Sequence, residues 1–79
     1  MRKKVSVNES FSKWMKLGGC GLSSWSIFFV CDHFKMPESH WRELPLSEIM
    51  TIPPAEREIT RFARDNDIEL IDMPEPEAQ

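Results

Sequence analysis

Residues 54–66, Pro-Ala-Glu-Arg-Glu-Ile-Thr-Arg-Phe-Ala-Arg-Asp-Asn, carry the clearest helical pattern in this chain. Four apolar side chains recur at helical spacing and predict one buried face: Ala55, Ile59, Phe62 and Ala63. The opposite face carries Arg57, Arg61 and Arg64, at i, i+4 and i+7. We therefore expect an amphipathic helix that packs on the core and holds its arginines in solvent.

The segment upstream of this helix is rich in proline and predicts two short pieces. Pro37 favours the first turn of a short helix that ends near Leu44, with Trp41 and Leu44 facing inward. Residues 46–52 then form a helical turn or an extended connector, and Pro53 with Pro54 resets the chain.

Residues 25–34, Trp-Ser-Ile-Phe-Phe-Val-Cys-Asp-His-Phe, are apolar in nearly every direction around a helix. Such a helix is typical of a central, buried position. Ser23 or Ser24 can cap it, and it runs to about Phe34. Its aromatic and β-branched content leaves a buried strand as the alternative.

A first helix is predicted over about 9–17, with Asn8 as its cap and Gly18 and Gly19 as its stop. Its apolar face comprises Phe11, Trp14, Met15 and Leu17.

Two terminal segments, 3–7 and 68–72, have the pattern of short strands. We therefore predict a mainly α domain of about four short helices over residues 1–72, with a two-stranded pairing of the termini as the α+β alternative. Residues 73–79 predict a disordered acidic tail.

Composition limits the function classes. The chain has 79 residues, 41% of them hydrophobic, which is enough for one small globular domain. Its net charge of −3 is uneven: residues 1–40 carry six basic and three acidic side chains, whereas residues 41–79 carry four and ten. This balance is not that of a strong nucleic-acid binder. No signal-like or membrane-spanning stretch is seen, so we expect a cytoplasmic protein with reduced cysteines and no membrane partner.

Candidate metal ligands are present but poorly spaced. Cys20, Cys31, His33 and His40 are the residue types that bind zinc, but they lack a close cysteine pair. Cys31 and His33 also point about 200° apart on a helix. We therefore predict no metal and no cofactor, and a zinc-stabilised mini-domain is a minor alternative. The residues around Gly18, Gly19 and Gly21 are typical of a connector between two helices and lack the motif of a phosphate-binding loop.

Partner contacts are the remaining functional signal. Three tryptophans in so short a chain indicate that at least one is partly exposed, and Trp41, between His40 and Arg42, is the candidate. The predicted partner-binding residues are Trp41, Arg42, Leu46, Ile49, Met50, Arg57, Arg61 and Arg64.

These features predict a small non-catalytic regulator that binds, and most simply inhibits, a larger protein. This prediction rests on an analogy with small bacterial or phage proteins that cover the surface of a host enzyme. The alternative is a helix-turn-helix-like DNA-binding module that uses the 54–66 helix for recognition.

Overall fold

A computed structural model describes residues 3–19 and 21–72. Its elements follow in the order β1 (Lys3–Ser6), α1 (Phe11–Lys16), α2 (Ser24–Phe34), a 3₁₀ turn (Trp41–Glu43), α3 (Leu46–Ile49), α4 (Pro53–Asp65) and β2 (Ile68–Ile71). The fold is mainly helical with a minor sheet, as predicted. The predicted acidic tail lies outside the described residues.

Helix α4 has the predicted amphipathic form. Prolines occupy its first two positions, where a missing N–H is tolerated. Ala55, Ile59 and Ala63 are buried. The helix ends at Asn66, whose side-chain amide donates to the carbonyl of Phe62 at 2.9 Å.

The sheet joins the two ends of the chain. Strands β1 and β2 pair in parallel, with Lys3 opposite Ile68 and Ser6 opposite Ile71. The ladder continues one residue further, where the Val7 N–H donates to the Ile71 carbonyl at 3.0 Å. The predicted pairing of the terminal segments is therefore confirmed, and all the helices lie on the crossover between the strands.

Helix α1 is shorter than predicted. Its cap is Ser10, whose hydroxyl accepts from the Lys13 N–H at 3.2 Å, and not Asn8. Asn8 lies in the turn after β1, where its N–H donates to the Ser6 hydroxyl at 3.1 Å. Phe11 and Trp14 are buried as predicted, but Met15 and Leu17 are 44% and 40% exposed.

Helix α2 has the predicted bounds but not the predicted burial. Ser23 caps it, and Lys35 ends it in the left-handed conformation with φ 53°. Within α2 only Ser26 and Val30 are buried. The prediction of a central helix buried on all sides is wrong, because α2 packs on α4 and the 3₁₀ turn with one face.

The segment between α2 and α4 forms part of the core. The predicted helix over 37–44 is reduced to the 3₁₀ turn, which buries Trp41 against Phe11 with ring centroids 4.6 Å apart. Leu46 and Ile49 are fully buried in α3. Backbone hydrogen bonds from Leu46 to Glu9 (2.9 Å) and from Ser47 to Val7 (2.8 Å) hold α3 against the start of the chain.

The loop after α1 generates a stability prediction. A Cβ at Gly19 would overlap the indole ring of buried Trp14. The Gly19→Ala variant should therefore lose about 1–3 kcal/mol of unfolding free energy in urea denaturation. Gly21→Ala is the matched control, because its nearest neighbour would be the Met15 methyl at an ordinary 3.7 Å. Equal stability of the two variants would contradict the described packing of this loop.

Candidate functional site

The outer face of α2 carries exposed aromatic side chains. Trp25 is 68% and Phe28 is 63% exposed. Half-buried Phe29 joins them edge to face, with ring centroids 5.2 Å from Trp25 and 5.8 Å from Phe28. We call Trp25, Phe28 and Phe29 the aromatic patch. Since exposed contiguous aromatic surface is costly in a monomer, such patches mark interaction sites.

The inner side of the same helix is fixed by a carboxylate. The Glu58 carboxylate of α4 accepts from the Ser26 hydroxyl at 2.6 Å, the Ser23 hydroxyl at 2.8 Å and the Ser23 N–H at 2.9 Å. Ser26 is fully buried. A negative charge at a helix N-terminus is also favoured by the helix dipole. Glu58 thus fastens the first turn of α2 to α4 and orients the aromatic patch.

The titration of Glu58 reflects this role. Partial burial raises the pKa of Glu58, but the hydrogen bonds from Ser26 and Ser23 and the charge of Arg61 lower it more, so its net pKa lies below the ordinary value. The carboxylate is therefore charged and engaged at neutral pH, and it is a poor general base.

The arginines of α4 lie on its solvent side, as predicted. Arg57, Arg61 and Arg64 are exposed. We call them the arginine face. Arg57 and Arg61 line two open clefts, one of about 500 Å³ and one of about 420 Å³. The first cleft is also lined by Gly21, Pro54, Glu58, Phe62 and Asp65, and the second cleft is also lined by Thr60 and Arg64. The larger cleft places two guanidinium groups beside the apolar side chains of Pro54 and Phe62.

Several predicted partner-binding residues are not at the surface. Trp41 (2% exposed), Leu46 and Ile49 (both 0%) lie in the core. The expectation of a partly exposed Trp41 is therefore wrong, whereas contact of these three residues with a partner stays a prediction. Their burial removes large apolar side chains from water, which stabilises the fold. Met50 is half-buried, whereas Arg42 is exposed, with its guanidinium carbon 5.7 Å from the Trp41 ring centre.

The exposed tryptophan is Trp25, which sequence reasoning missed. The signal in the sequence is that α2 is apolar on all sides, so that any side left uncovered exposes apolar side chains. The sequence does not show which side stays open, since that depends on where α4 packs.

The zinc candidates do not form a site among the residues that the structure describes. Cys31 is half-buried on α2, and His33 and His40 are exposed. Residues 3–19 and 21–72 contain no group of three His, Cys, Asp or Glu side chains placed to hold a metal. Cys20 lies outside those ranges. Burial, followed by the charge of Glu38, raises the pKa of the Cys31 thiol, which disfavours a reactive thiolate.

No helix in the described part of the chain has both the length and the apolar content needed to span a membrane. No protein family, curated protein or solved structure matches this chain. What it binds is therefore inferred from its own exposed side chains.

The exposure of the aromatic patch can be checked by fluorescence. Trp14 and Trp41 are 0% and 2% exposed, in contrast to Trp25. Iodide should quench only the Trp25 part of the emission, because a charged quencher does not reach a packed core. The Trp25→Phe variant should lose the quenchable part. Quenching that persists in this variant would mean that a second tryptophan is exposed.

The junction of α2 and α4 generates a pH prediction. Glu58→Gln should lower the free energy of unfolding at pH 7 by about 1 kcal/mol, because it weakens charge-assisted hydrogen bonds at a partly solvated site. Since the folded-state pKa is depressed, the stabilisation is complete above the ordinary value of 4.5. It is lost as the pH falls through the lower, folded-state pKa.

Urea denaturation from pH 7 to pH 2 measures this effect, with exposed Glu43→Gln as the control. The stabilities of the parent chain and Glu58→Gln should converge at the acid end. A stability difference that stays constant with pH would show that the Glu58 charge does not fasten α2.

Proposed function

We propose that this chain is a small non-catalytic regulator that binds a larger protein through the aromatic patch and inhibits it by covering its surface. The observation that carries the proposal is the exposure of Trp25 and Phe28 on a helix whose opposite side is fixed. Tryptophan is among the residues most enriched in binding hot spots. A side chain held on a rigid helix also loses little conformational freedom on binding.

The size of the aromatic patch is that of an anchor within an interface and not of a whole interface. With aromatic side chains of about 150–250 Å² each, Trp25 and Phe28 expose on the order of 300 Å². A stable interface needs about 800 Å² on each side. The patch alone is therefore too small for a stable interface with any partner, and it suits the central anchor of a larger interface.

The chemistry of the described residues supports a binding role over catalysis. The Glu58 carboxylate is engaged by two serines, and the pKa of Cys31 is raised. Neither group has the properties of a nucleophile or a general base. We propose a cytoplasmic setting, in which a free thiol such as Cys31 stays reduced.

DNA binding is the second candidate, and one observation favours it. A three-residue connection, Met50–Ile52, joins α3 to α4, and α4 presents the arginine face to solvent. That arrangement is similar to a helix-turn-helix with α4 as the recognition helix. Against it, α3 has only four residues, and the net charge is −3. The protein-binding proposal is therefore the stronger one.

The proposal is tested by substitutions in the aromatic patch. Trp25→Ser and Phe28→Ser should each weaken binding to a purified partner at least tenfold, because each removes an anchor from the interface. The partner is first isolated by affinity capture from source-cell lysate, and binding is then reconstituted and measured by titration calorimetry. The unfolding midpoint should not fall, since both side chains lie in solvent.

Leu17→Ser is the control, because Leu17 is an exposed apolar residue outside α2. Unchanged affinity in both aromatic variants would overturn the proposal. Concentration-dependent dimerisation in sedimentation, lost in the aromatic variants, would show instead that the patch joins two copies of this chain.

A further inference from the structure

We propose that the arginine face of α4, with its two clefts, binds an acidic peptide segment that carries an apolar side chain beside its carboxylates. This surface is distinct from the aromatic patch. The inference rests on the proposed function only in that both ligands are protein, and the two surfaces are tested separately.

The lining of the larger cleft defines the chemistry of the ligand. Pro54 and Phe62 supply apolar surface, and Arg57 and Arg61 supply two guanidinium groups. Guanidinium forks bind carboxylates in a planar, two-bonded geometry. A ligand that fits this lining has a carboxylate for the arginines and an apolar group for Pro54 and Phe62.

The spacing of the arginines matches a peptide. Arg57 and Arg61 are four residues apart, which is about 6 Å along the helix axis. Alternate residues of an extended peptide are roughly 6.6–6.8 Å apart on one side. Two acidic side chains at positions i and i+2 therefore reach Arg57 and Arg61, and Arg64 extends the row by one helical turn.

The two carboxylates that line the larger cleft have other contacts in the described part of the chain. The Glu58 carboxylate accepts hydrogen bonds from Ser23 and Ser26. The Oδ1 of Asp65 lies 3.6 Å from the Nε of Arg64. Within the described part of the chain, no carboxylate oxygen lies within 4.0 Å of the guanidinium nitrogens of Arg57 or Arg61, which is the limit for an ion pair. Both guanidinium groups are thus available to an incoming carboxylate.

The same surroundings disfavour nucleic acid. Phosphate binding depends on the sum of many positive charges. The three arginines of the arginine face stand against a net charge of −3 for the chain as a whole. A carboxylate clamp depends instead on the local geometry of one or two guanidinium groups, and the apolar lining adds contacts that a phosphate backbone does not use.

Fluorescence anisotropy with short labelled probes tests the inference on the full chain. The acidic probe is the eight-residue peptide Ser-Glu-Ser-Glu-Ser-Leu-Ser-Ser, in which two glutamates and one leucine lie on the same side of an extended chain. One control probe has glutamine for each glutamate, another has serine for each leucine, and a single-stranded DNA oligonucleotide is the fourth probe. The acidic probe should bind at least tenfold more tightly than either control peptide.

Arg57→Gln and Arg61→Gln should each weaken binding of the acidic probe at least fivefold. Arg42→Gln is the matched control, because Arg42 is an exposed arginine that lines neither cleft. Trp25→Ser should leave binding of the acidic probe unchanged, so failure of the aromatic patch and failure of this site are distinguishable. Circular dichroism confirms that each variant is folded.

Two results would overturn the inference. One is the absence of acidic-probe binding, or binding that is the same in the arginine variants as in the parent chain. The other is tighter binding of the oligonucleotide than of the acidic probe, lost in Arg57→Gln, which would assign the arginine face to nucleic acid.

Discussion

The buried face of α4 is the packing surface on which the rest of this fold depends. Ala55 and Ala63 are small, so neighbouring elements approach the helix backbone closely, and Ile59 fills the centre. Strand β2 and helix α2 both contact α4, and the Trp14 ring of α1 meets Phe62 edge to face at 6.1 Å. Because the apolar stripe of α4 faces inward, its arginines face solvent.

One polar junction decides how α2 lies on that surface. The Glu58 carboxylate of α4 lies at the N-terminus of α2 and accepts a hydrogen bond from the hydroxyl of Ser26, which is fully buried. Removing a partner from a buried polar group costs more than the bond itself contributes, so the junction is specific as well as stabilising. With that side fixed, none of the described elements covers the opposite side of α2, where Trp25 is 68% exposed. The aromatic patch follows from one-sided packing in a short chain.

The junction also relates the two surfaces that we propose bind ligands. Trp25 directly precedes Ser26, and Arg57 directly precedes Glu58, so each surface begins one residue from the same hydrogen bonds. The two surfaces differ in chemistry, since one is aromatic and the other combines guanidinium groups with apolar lining. The helices that carry the two surfaces are held together, which limits the entropy lost on binding.

By itself, the sequence determined much of the local structure of this protein. Helical spacing and capping residues predicted α4, the bounds of α2 and the solvent side of Arg57 and Arg61, because these depend on neighbours within one or two turns. The strand patterns at the two termini predicted their pairing. Tertiary structure alone decided which of the three tryptophans stays exposed. The Trp41 ring packs against Phe11, which is distant in sequence. Trp25 lies on the side of α2 that faces away from α4. Burial depends on which elements pack together, and neither composition nor periodicity contains that information.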